Sequence, residues 1–325
     1  MVSDLPLARL QLHLRAQRAL RLTEFPGFVW RGALGVELRR MVCVTGMEQC
    51  RSCPMHSACA YPRLFEPEPP LNQAPRGLVA SGQDAPPPFI VAPQHGRRVE
   101  AEQELVLCLV VVGSAIAYAP YLILALQRAA ARGIGPDRAE LTLTAVQQEQ
   151  PVGSGCWQQV FDDAGNLAVQ PGAPPVIAPP PTAAEIRIDT PLRLRIGGRY
   201  AGVERIAFGP FFTTLLRRIS LLALCHAPEV GQPRDPAQLA AIAQNARCRT
   251  DDLRWHDWHR RSQRQGKPVP MGGVTGRFIV SGSEITELWP WLAAGQWLHA
   301  GKGAAMGLGH YTLTSVPGSG EREAS

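Results

Sequence analysis

Hydrophobic and polar positions in the first part of the chain follow two periods, one strand-like and one helix-like. Residues 7–15, LARLQLHLR, alternate as a half-buried strand does. Residues 27–41 place Trp30, Leu34 and Leu38 on one face of a helix. A strand followed by a helix is therefore predicted at the start of the chain.

A long apolar run at residues 105–126 is the next strong signal, and its length is enough to span a bilayer. Its first part is β-branched and ends at Gly113, whereas the second part has helical spacing up to Gly133. We predict a buried strand, a turn and a helix there, with a membrane anchor as the alternative. Residues 104–146 as a whole then form a strand, helix and strand. Nine prolines in residues 62–93 indicate an irregular connection before this unit.

The same order of elements restarts after PGAPPVIAPPPT, a stretch typical of a linker. The predicted elements are a strand at 184–196, a helix at 208–226, a strand at 274–282, a helix at 284–295 and a final hairpin at 296–314. We predict an α+β fold of two tandem ferredoxin-like (RRM-like) β-α-β-β-α-β domains. The domains are expected at 1–170 and 184–325, with a linker at 171–183 and a cysteine-rich, proline-rich insertion at 43–95.

The composition of the 325 residues favours a globular chain with a basic surface. Hydrophobic residues make up 45% of the sequence and the net charge is +6, which permits an RNA or other anionic partner. The segment MVSDLPLARLQLHLRAQ carries charges where a secretory signal needs an apolar core. Eight cysteines are too few for a disulfide scaffold in a chain of this length. A reducing, cytoplasmic location is therefore expected.

Near the end of the sequence, four glycines surround one of only two lysines in the chain, Lys302. The glycines are Gly301, Gly303, Gly307 and Gly309. Bare backbone allows amide groups to approach phosphates, and Lys302 supplies a mobile charge. The spacing is not that of a nucleotide-hydrolase phosphate loop. A glycine-rich turn that needs positive φ angles is the structural alternative.

The stretch LRWHDWHRRSQRQ combines aromatic, imidazole and basic side chains. Eight basic and three acidic residues lie between positions 247 and 277, and among them stand Trp255, His256, Trp258 and His259. Aromatic rings between arginines suit the stacking of bases beside phosphate contacts. A solvated charged segment with two buried tryptophans is the alternative.

Four cysteines lie within 17 residues, in CVTGMEQCRSCPMHSAC. They are Cys43, Cys50, Cys53 and Cys59. One C-x-x-C pair is half of a zinc site, and four thiolates would close a structural one. His56 is an alternative fourth ligand. A reduced cysteine loop without metal remains open, because a second C-x-x-C pair is missing.

Five stretches in this order, spread over nearly the whole chain, resemble one family. They are FVWRGALG, the cysteine loop running into CAYPRLFE, AYAPYLILALQRAAARGIGPDR, TPLRLR with LLRRISLLALCH, and DLRWHDWHRRSQRQ with MGGVTG and LHAGKGAAMGLGHY. Together they resemble the CRISPR-associated endoribonucleases of the RAMP superfamily that cut precursor CRISPR RNA, in a variant with a cysteine loop. The closing glycine loop is widespread among RAMP proteins, whereas the cysteine loop is more specific to this branch.

The resemblance implies two ferredoxin-like domains and a basic surface that binds CRISPR repeat RNA. It also implies metal-independent cleavage, in which a ribose 2′-hydroxyl attacks the adjacent phosphate and leaves a 2′,3′-cyclic phosphate. Lys302 would then contact a phosphate. The residues expected to bind RNA are Gly301, Gly303, Gly307, Gly309, Arg31, Arg260, Arg261, Arg264 and Trp255.

Histidine suits the acid and base roles of this chemistry because its pKa lies near working pH. Many members of the family carry the histidine on the first helix, and here that helix has arginines instead. We therefore expect the catalytic residues to be His256, His259, His299 and Lys302. His13 and His310 are weaker candidates.

Three functions remain open from the sequence. The first is a repeat-specific endoribonuclease, with no cofactor for catalysis and with repeat RNA, or other CRISPR effector subunits, as partners. The second is a non-catalytic RNA-binding RAMP subunit of a CRISPR effector complex, favoured by the missing first-helix histidine. The third is a membrane-associated protein anchored by residues 105–126.

Overall fold

Two antiparallel sheets, each with helices packed against it, form the fold. The computed structural model describes residues 2–70, 85–93, 98–161, 165–233, 235–261 and 268–316. The main strands are β1 Leu7–Ala16, β2 Phe89–Pro93, β3 Glu104–Val112, β4 Leu141–Glu149, β5 Trp157–Gln159, β6 Ala183–Leu192, β7 Arg247–His256, β8 His259–Arg261, β9 Pro268–Pro270, β10 Gly273–Ser281 and β11 Tyr311–Ser315. The α-helices are α1 Gly27–Val42, α2 Ala60–Phe65, α3 Ala119–Ala131, α4 Phe208–His226, α5 Pro236–Asn245 and α6 Glu284–Leu298.

The four strands of each ferredoxin-like unit have the same order in the two sheets, and β5 is an additional edge strand of the first sheet. The first sheet runs β2-β3-β1-β4-β5 and the second β7-β10-β6-β11, with antiparallel pairing between all neighbours. Chain order in each half is β-α-β-β-α-β, which is the ferredoxin-like arrangement. The predicted α+β fold of tandem ferredoxin-like domains is thus confirmed, whereas the residue boundaries of the domains stay a prediction.

The apolar periods of the sequence explain where the cores lie. Trp30, Leu34 and Leu38 of α1 are fully buried against the first sheet, together with the apolar face of α3. In the second half, α4 and α6 cover the second sheet. This second core also takes Ile90 and Val110 from the first sheet, so one end of the first sheet packs on the second half. The two halves therefore share apolar surface.

The run at 105–126 is a strand, a 3₁₀ turn and a helix, as predicted. Strand β3 ends at Val112, the turn spans Gly113–Tyr118, and α3 follows. The helix α4, Phe208–His226, is long and apolar enough to cross a membrane by length and composition alone, but most of that stretch is buried inside the protein. The buried contacts of both segments are those of core elements.

Two expectations from the sequence are wrong, and one strand was not predicted. Residues 62–93 were expected to be irregular, but they include most of α2 and all of β2, because short elements among prolines give little periodic signal. Residues 247–256 form the edge strand β7, whose charged residues hid the strand pattern. The hairpin predicted at 296–314 is not formed, since α6 continues to Leu298 and, within the described residues up to 316, the glycine loop leads into the single strand β11.

Candidate nucleic-acid interface

A small aromatic cluster joins the start of α1 to the glycine loop. Trp258 is buried between Phe25 and Phe28, with ring centroids 5.5 and 5.9 Å away, and Met271 and Leu308 complete the cluster. This cluster ties the basic stretch and the glycine loop to the first half of the chain. Trp258 is therefore a packing residue. For this residue, the alternative of a charged segment with buried tryptophans is the better description.

Two adjoining cavities, which share the lining residue Phe25, form a groove along this junction. The first cavity has a volume of about 720 Å³ and is walled by strands of the second sheet. The second cavity, of about 330 Å³, lies between the first sheet and the glycine loop. We call the two cavities together the junction groove.

His256 lines the first cavity and is held by a residue from the other half of the chain. Its Nε2 lies 3.1 Å from the Glu24 carboxylate, and its ring meets the Phe25 ring edge-on at 5.2 Å. The side chain is 29% exposed, so it can meet a ligand in the groove. A carboxylate that fixes one imidazole nitrogen is a usual way to orient a catalytic histidine.

Charges in the first cavity are balanced. Arg187, Arg254 and Arg277 line it, as do the carboxylates of Glu24, Asp189 and Asp252. Arg187 lies 2.7 Å from Asp189, and Arg277 lies 3.2 Å from Asp251. Most of these arginines are paired with acids, so the first cavity carries little net positive charge. Its oriented imidazole, His256, is therefore the more distinctive feature.

His310 lines the second cavity and faces Asp189, which lines the first. The distance from His310 Nδ1 to Asp189 Oδ2 is 3.3 Å, and the imidazole is 34% exposed. Burial raises the pKa of Asp189, but the nearby His310 ring and the Arg187 guanidinium outweigh burial and hold it below its ordinary value. The ionised Asp189 carboxylate therefore lies beside Nδ1 of His310, on the side of the ring away from Nε2.

His299 was expected to act on substrate, but most of its side chain is buried. It is 4% exposed, with a φ of +58°, and its ring centroid lies 4.9 Å from that of His310. Burial, with the charges of His310 and Arg218 nearby, holds the pKa of His299 well below its ordinary value. The imidazole is therefore held neutral, and although it lines the second cavity it exposes little surface there.

The glycine loop is a tightly bonded turn. The φ angles of Gly301, Gly303, Gly307 and Gly309 are +78°, +89°, +81° and +66°, a region that favours glycine. Backbone N–H groups of Lys302 and Gly309 donate to the carbonyl groups of Arg193 and Pro191. A Cβ on Gly309 would lie 1.8 Å from the carbonyl oxygen of Ala300. Gly307 and Gly309 are buried, so the bare, open loop expected from the sequence is wrong for its second half.

The remaining expected RNA-binding residues are spread over the surface. Lys302 is exposed on the loop, His259 is exposed at the start of β8, and Trp255 is 44% exposed on β7. Arg31 lies against α2, with its guanidinium 5.0 Å from the centre of the Phe65 ring. Arg260 and Arg261 belong to β8, but their side chains, like the whole of Arg264, lie outside the described residues.

Sequence reasoning missed the two carboxylates that hold the groove histidines, Glu24 and Asp189. Asp189 directly precedes TPLRLR, one of the stretches that carry the family resemblance, and this was the available signal. Nothing in the sequence around Glu24 marks it, because its partner His256 is more than two hundred residues away. The glycine loop next to His310 is its signal in the sequence, but His299 flanks the same loop and has the same signal.

The four cysteines line one cavity of about 230 Å³ at the end of α1, on a part of the surface outside the junction groove. None of Cys43, Cys50, Cys53 and Cys59 forms a disulfide. Within the described ranges, no group of three or more His, Cys, Asp or Glu side chains lies close enough to hold a single metal ion. The structural zinc expected from the sequence stays a prediction.

Comparisons with known proteins agree with this fold. Residues 5–173, more than half of the chain, match the family model AF_1859_N, an N-terminal domain. Residues 186–311 match the model of the CRISPR-associated endoribonuclease Cas6. An uncharacterized protein of Archaeoglobus fulgidus is 27% identical over 304 residues, which cover 90% of this chain and 93% of the relative.

Solved structures show the same fold at low sequence identity. A Cas6 product complex matches with a TM-score of 0.52 at 16% identity, covering 95% of this chain and 99% of that one. Cas6 of Thermus thermophilus matches with a TM-score of 0.50 at 17% identity and the same coverage. A partial Cas6-RT-Cas1–Cas2 complex matches with a TM-score of 0.54 at 14% identity, covering 97% of this chain and 47% of that one.

The chain is thus a RAMP protein built from two ferredoxin-like domains. Within that class it is of the Cas6 type: residues 186–311 match the CRISPR-associated endoribonuclease Cas6, and residues 5–173 place the chain in the family of the AF_1859_N domain. The resemblance drawn from the five sequence stretches is confirmed.

Proposed function

We propose that this protein cleaves CRISPR precursor RNA within its repeats, without a metal, to give mature guide RNAs. The observation that carries this proposal is the pair of histidines in the junction groove, each beside a carboxylate: His310 with Asp189 and His256 with Glu24. RNA as the ligand is supported by the similarity in fold to a Cas6 product complex.

Cleavage by a ribose 2′-hydroxyl needs two proton transfers. His310 Nε2 takes the proton of the 2′-hydroxyl, whose oxygen then attacks the adjacent phosphorus. The bond from phosphorus to the 5′-oxygen breaks, and His256 donates a proton to that leaving oxygen. The products are a 2′,3′-cyclic phosphate and a 5′-hydroxyl. Arg254, which lines the groove, and Lys302 supply positive charge for the phosphate.

These roles revise the catalytic set expected from the sequence. His310 replaces His299 as the acting imidazole, because His299 is enclosed. His256 and Lys302 keep their roles, and His259, which is exposed at the start of β8, joins the RNA-binding residues. Trp255, Arg260, Arg261 and Arg264 of the same basic stretch hold single-stranded RNA by stacking and by phosphate contacts.

Repeat RNA and mature guide RNA are the proposed partners, in the cytoplasm, where precursor RNA is made. Other CRISPR proteins are a second class of partner. The similarity to part of a chain in a partial Cas6-RT-Cas1–Cas2 complex supports this class. No cofactor is proposed for the cleavage itself.

The test is incubation of the purified protein with its cognate repeat RNA in EDTA, followed by analysis of the product ends. We expect one cut that leaves a cyclic phosphate and a 5′-hydroxyl, because both proton transfers use side chains. Cleavage that stops in EDTA and returns with Mg²⁺ would contradict the mechanism.

A substrate with sulfur in place of the 5′-leaving oxygen separates the two histidines. Sulfur leaves as a thiolate and needs little help from an acid, so this substrate should restore cleavage by His256→Ala but not by His310→Ala. Failure to restore His256→Ala would remove the acid role from His256.

A non-catalytic RNA-binding subunit is the second candidate function. The favouring observation is the first helix, α1, which carries Arg31, Arg39 and Arg40 but no histidine. Tight binding of the repeat with no cut under all conditions would establish this alternative.

A further inference from the structure

The cysteine loop places four sulfur atoms around one cavity that the junction groove does not use. Local structure fixes each position. Cys43 follows the last turn of α1, Cys50 and Cys53 begin and end a 3₁₀ turn closed by a 3.0 Å backbone hydrogen bond, and Cys59 directly precedes α2. All four line the cavity and are half-buried. We call this cavity the cysteine pocket.

A polar group lies beside one of the sulfurs. The Thr45 hydroxyl is 3.3 Å from Cys53 Sγ. A hydrogen bond to sulfur is a usual feature around metal-bound cysteines, because it spreads the negative charge.

One imidazole atom in the cysteine pocket is unsatisfied. His56 Nε2 is buried and has no hydrogen-bond partner among the described residues, although His56 lines the pocket. A buried polar atom without a partner carries a free-energy cost, and a bound group would remove it. Tyr61 and Tyr118 add an aromatic wall to the same cavity.

The cysteine pocket has room for more than a single ion. A zinc ion lies about 2.3 Å from each thiolate, so four sulfurs around it approach to about 3.8 Å of one another. The cavity that the four cysteines line together with other side chains has a volume of about 230 Å³, which also holds a larger group.

We propose that the cysteine pocket binds an iron–sulfur cluster through the thiolates of Cys43, Cys50, Cys53 and Cys59. Four cysteines are the usual ligand set of such clusters, and inorganic sulfide with iron fills the space that one ion would leave empty. The cluster ties the cysteine loop to α1 and α2. It takes the place of the structural zinc expected from the sequence and lies apart from the proposed cleavage site.

The experiment is purification of the full chain without oxygen, with assays for iron, acid-labile sulfide and zinc. We expect iron and sulfide in equal amounts, about two or four of each per chain, and a broad visible absorption that dithionite bleaches. Cys53→Ser should lose most of the iron, the sulfide and the colour. Cys156→Ser is the matched control, because Cys156 is exposed, lies outside the pocket and should leave all three unchanged.

Two results would overturn the proposal. One zinc per chain, with no iron or sulfide and no colour, would assign the pocket to a single ion. Protein that contains no metal, even after reconstitution with iron and sulfide, would leave a simple cysteine loop. If Cys53→Ser does not fold, the iron and sulfide content and the Mössbauer spectrum of the unaltered protein still decide between these results.

Discussion

His299 and His310 stand on either side of the glycine loop, and their rings are 4.9 Å apart, yet they lie in opposite environments. His299 is enclosed, and burial keeps it neutral. His310 is about one-third exposed in the junction groove and faces the carboxylate of Asp189. Both residues line the second cavity, but they differ in how much of the ring is exposed there and in the carboxylate that His310 faces. In the cleavage proposed above, these two differences are the reason for assigning the base role to His310.

The largest expected effect that tests this contrast is on the rate of cleavage. His310→Ala should lower the single-turnover rate by about 10²–10⁴-fold, the usual range for the loss of a general base, with little change in repeat-RNA affinity. His299→Gln should leave the rate nearly unchanged, because an enclosed side chain does not reach substrate. The measurement is single-turnover cleavage in EDTA, at a temperature where circular dichroism shows both variants folded.

The opposite result would contradict the different roles proposed for His299 and His310. If His299→Gln abolishes cleavage while His310→Ala retains it, the loop must open during catalysis and expose His299. Asp189→Asn serves as a matched variant for orientation: it keeps the shape of the carboxylate but should lower the rate by a smaller factor than His310→Ala.

Most of the fold was predictable because its signals are local. The alternation of β1 and the helical spacing of α4 each follow from neighbouring residues, and the repeated order of elements then points to tandem ferredoxin-like domains. Strand β2 was missed because it has only five residues between proline-rich segments, which is too short for a clear alternation. Strand β7 was missed because an edge strand can carry charged residues on both faces.

The candidate site was less predictable because it is built from distant residues. Glu24 meets His256 across 232 positions and Asp189 meets His310 across 121, so no spacing rule connects them. The cysteine loop could be recognised from its spacing alone, but the size of the cavity between the sulfurs depends on how α1, α2 and the turn between them are placed.

A second prediction concerns buried histidines and the pH dependence of stability. Burial lowers the pKa of His226 to about 4, and burial also lowers that of His299. Below about pH 6.5 the unfolded chain binds protons that the folded chain does not, so the free energy of unfolding falls as pH falls. Between about pH 7 and pH 5 the contribution of His226 should drop by about 2 kcal/mol, and His299 acts in the same direction.

Urea unfolding at the two pH values measures this effect. His226→Gln keeps an N–H donor for the carbonyl of Pro86, which His226 contacts at 3.0 Å, but cannot take up a proton. The stability of this variant should therefore change less between the two pH values than that of the unaltered protein. An equal change in both would contradict the assignment of the buried, neutral state to His226.

The smallest expected effect is on RNA binding by the exposed side of the glycine loop. Lys302 is exposed, while its backbone N–H is fixed to the carbonyl of Arg193 at 2.9 Å, so its side chain can change without disturbing the turn. Lys302→Ala should weaken binding of the repeat RNA and reduce the slope of log Kd against log salt by about one, because one phosphate contact is lost. Lys302→Arg keeps the charge and should keep the slope. If Lys302→Ala leaves both affinity and slope unchanged, RNA does not contact this side of the glycine loop, and the groove side, with His310 and Arg254, must hold the phosphate alone.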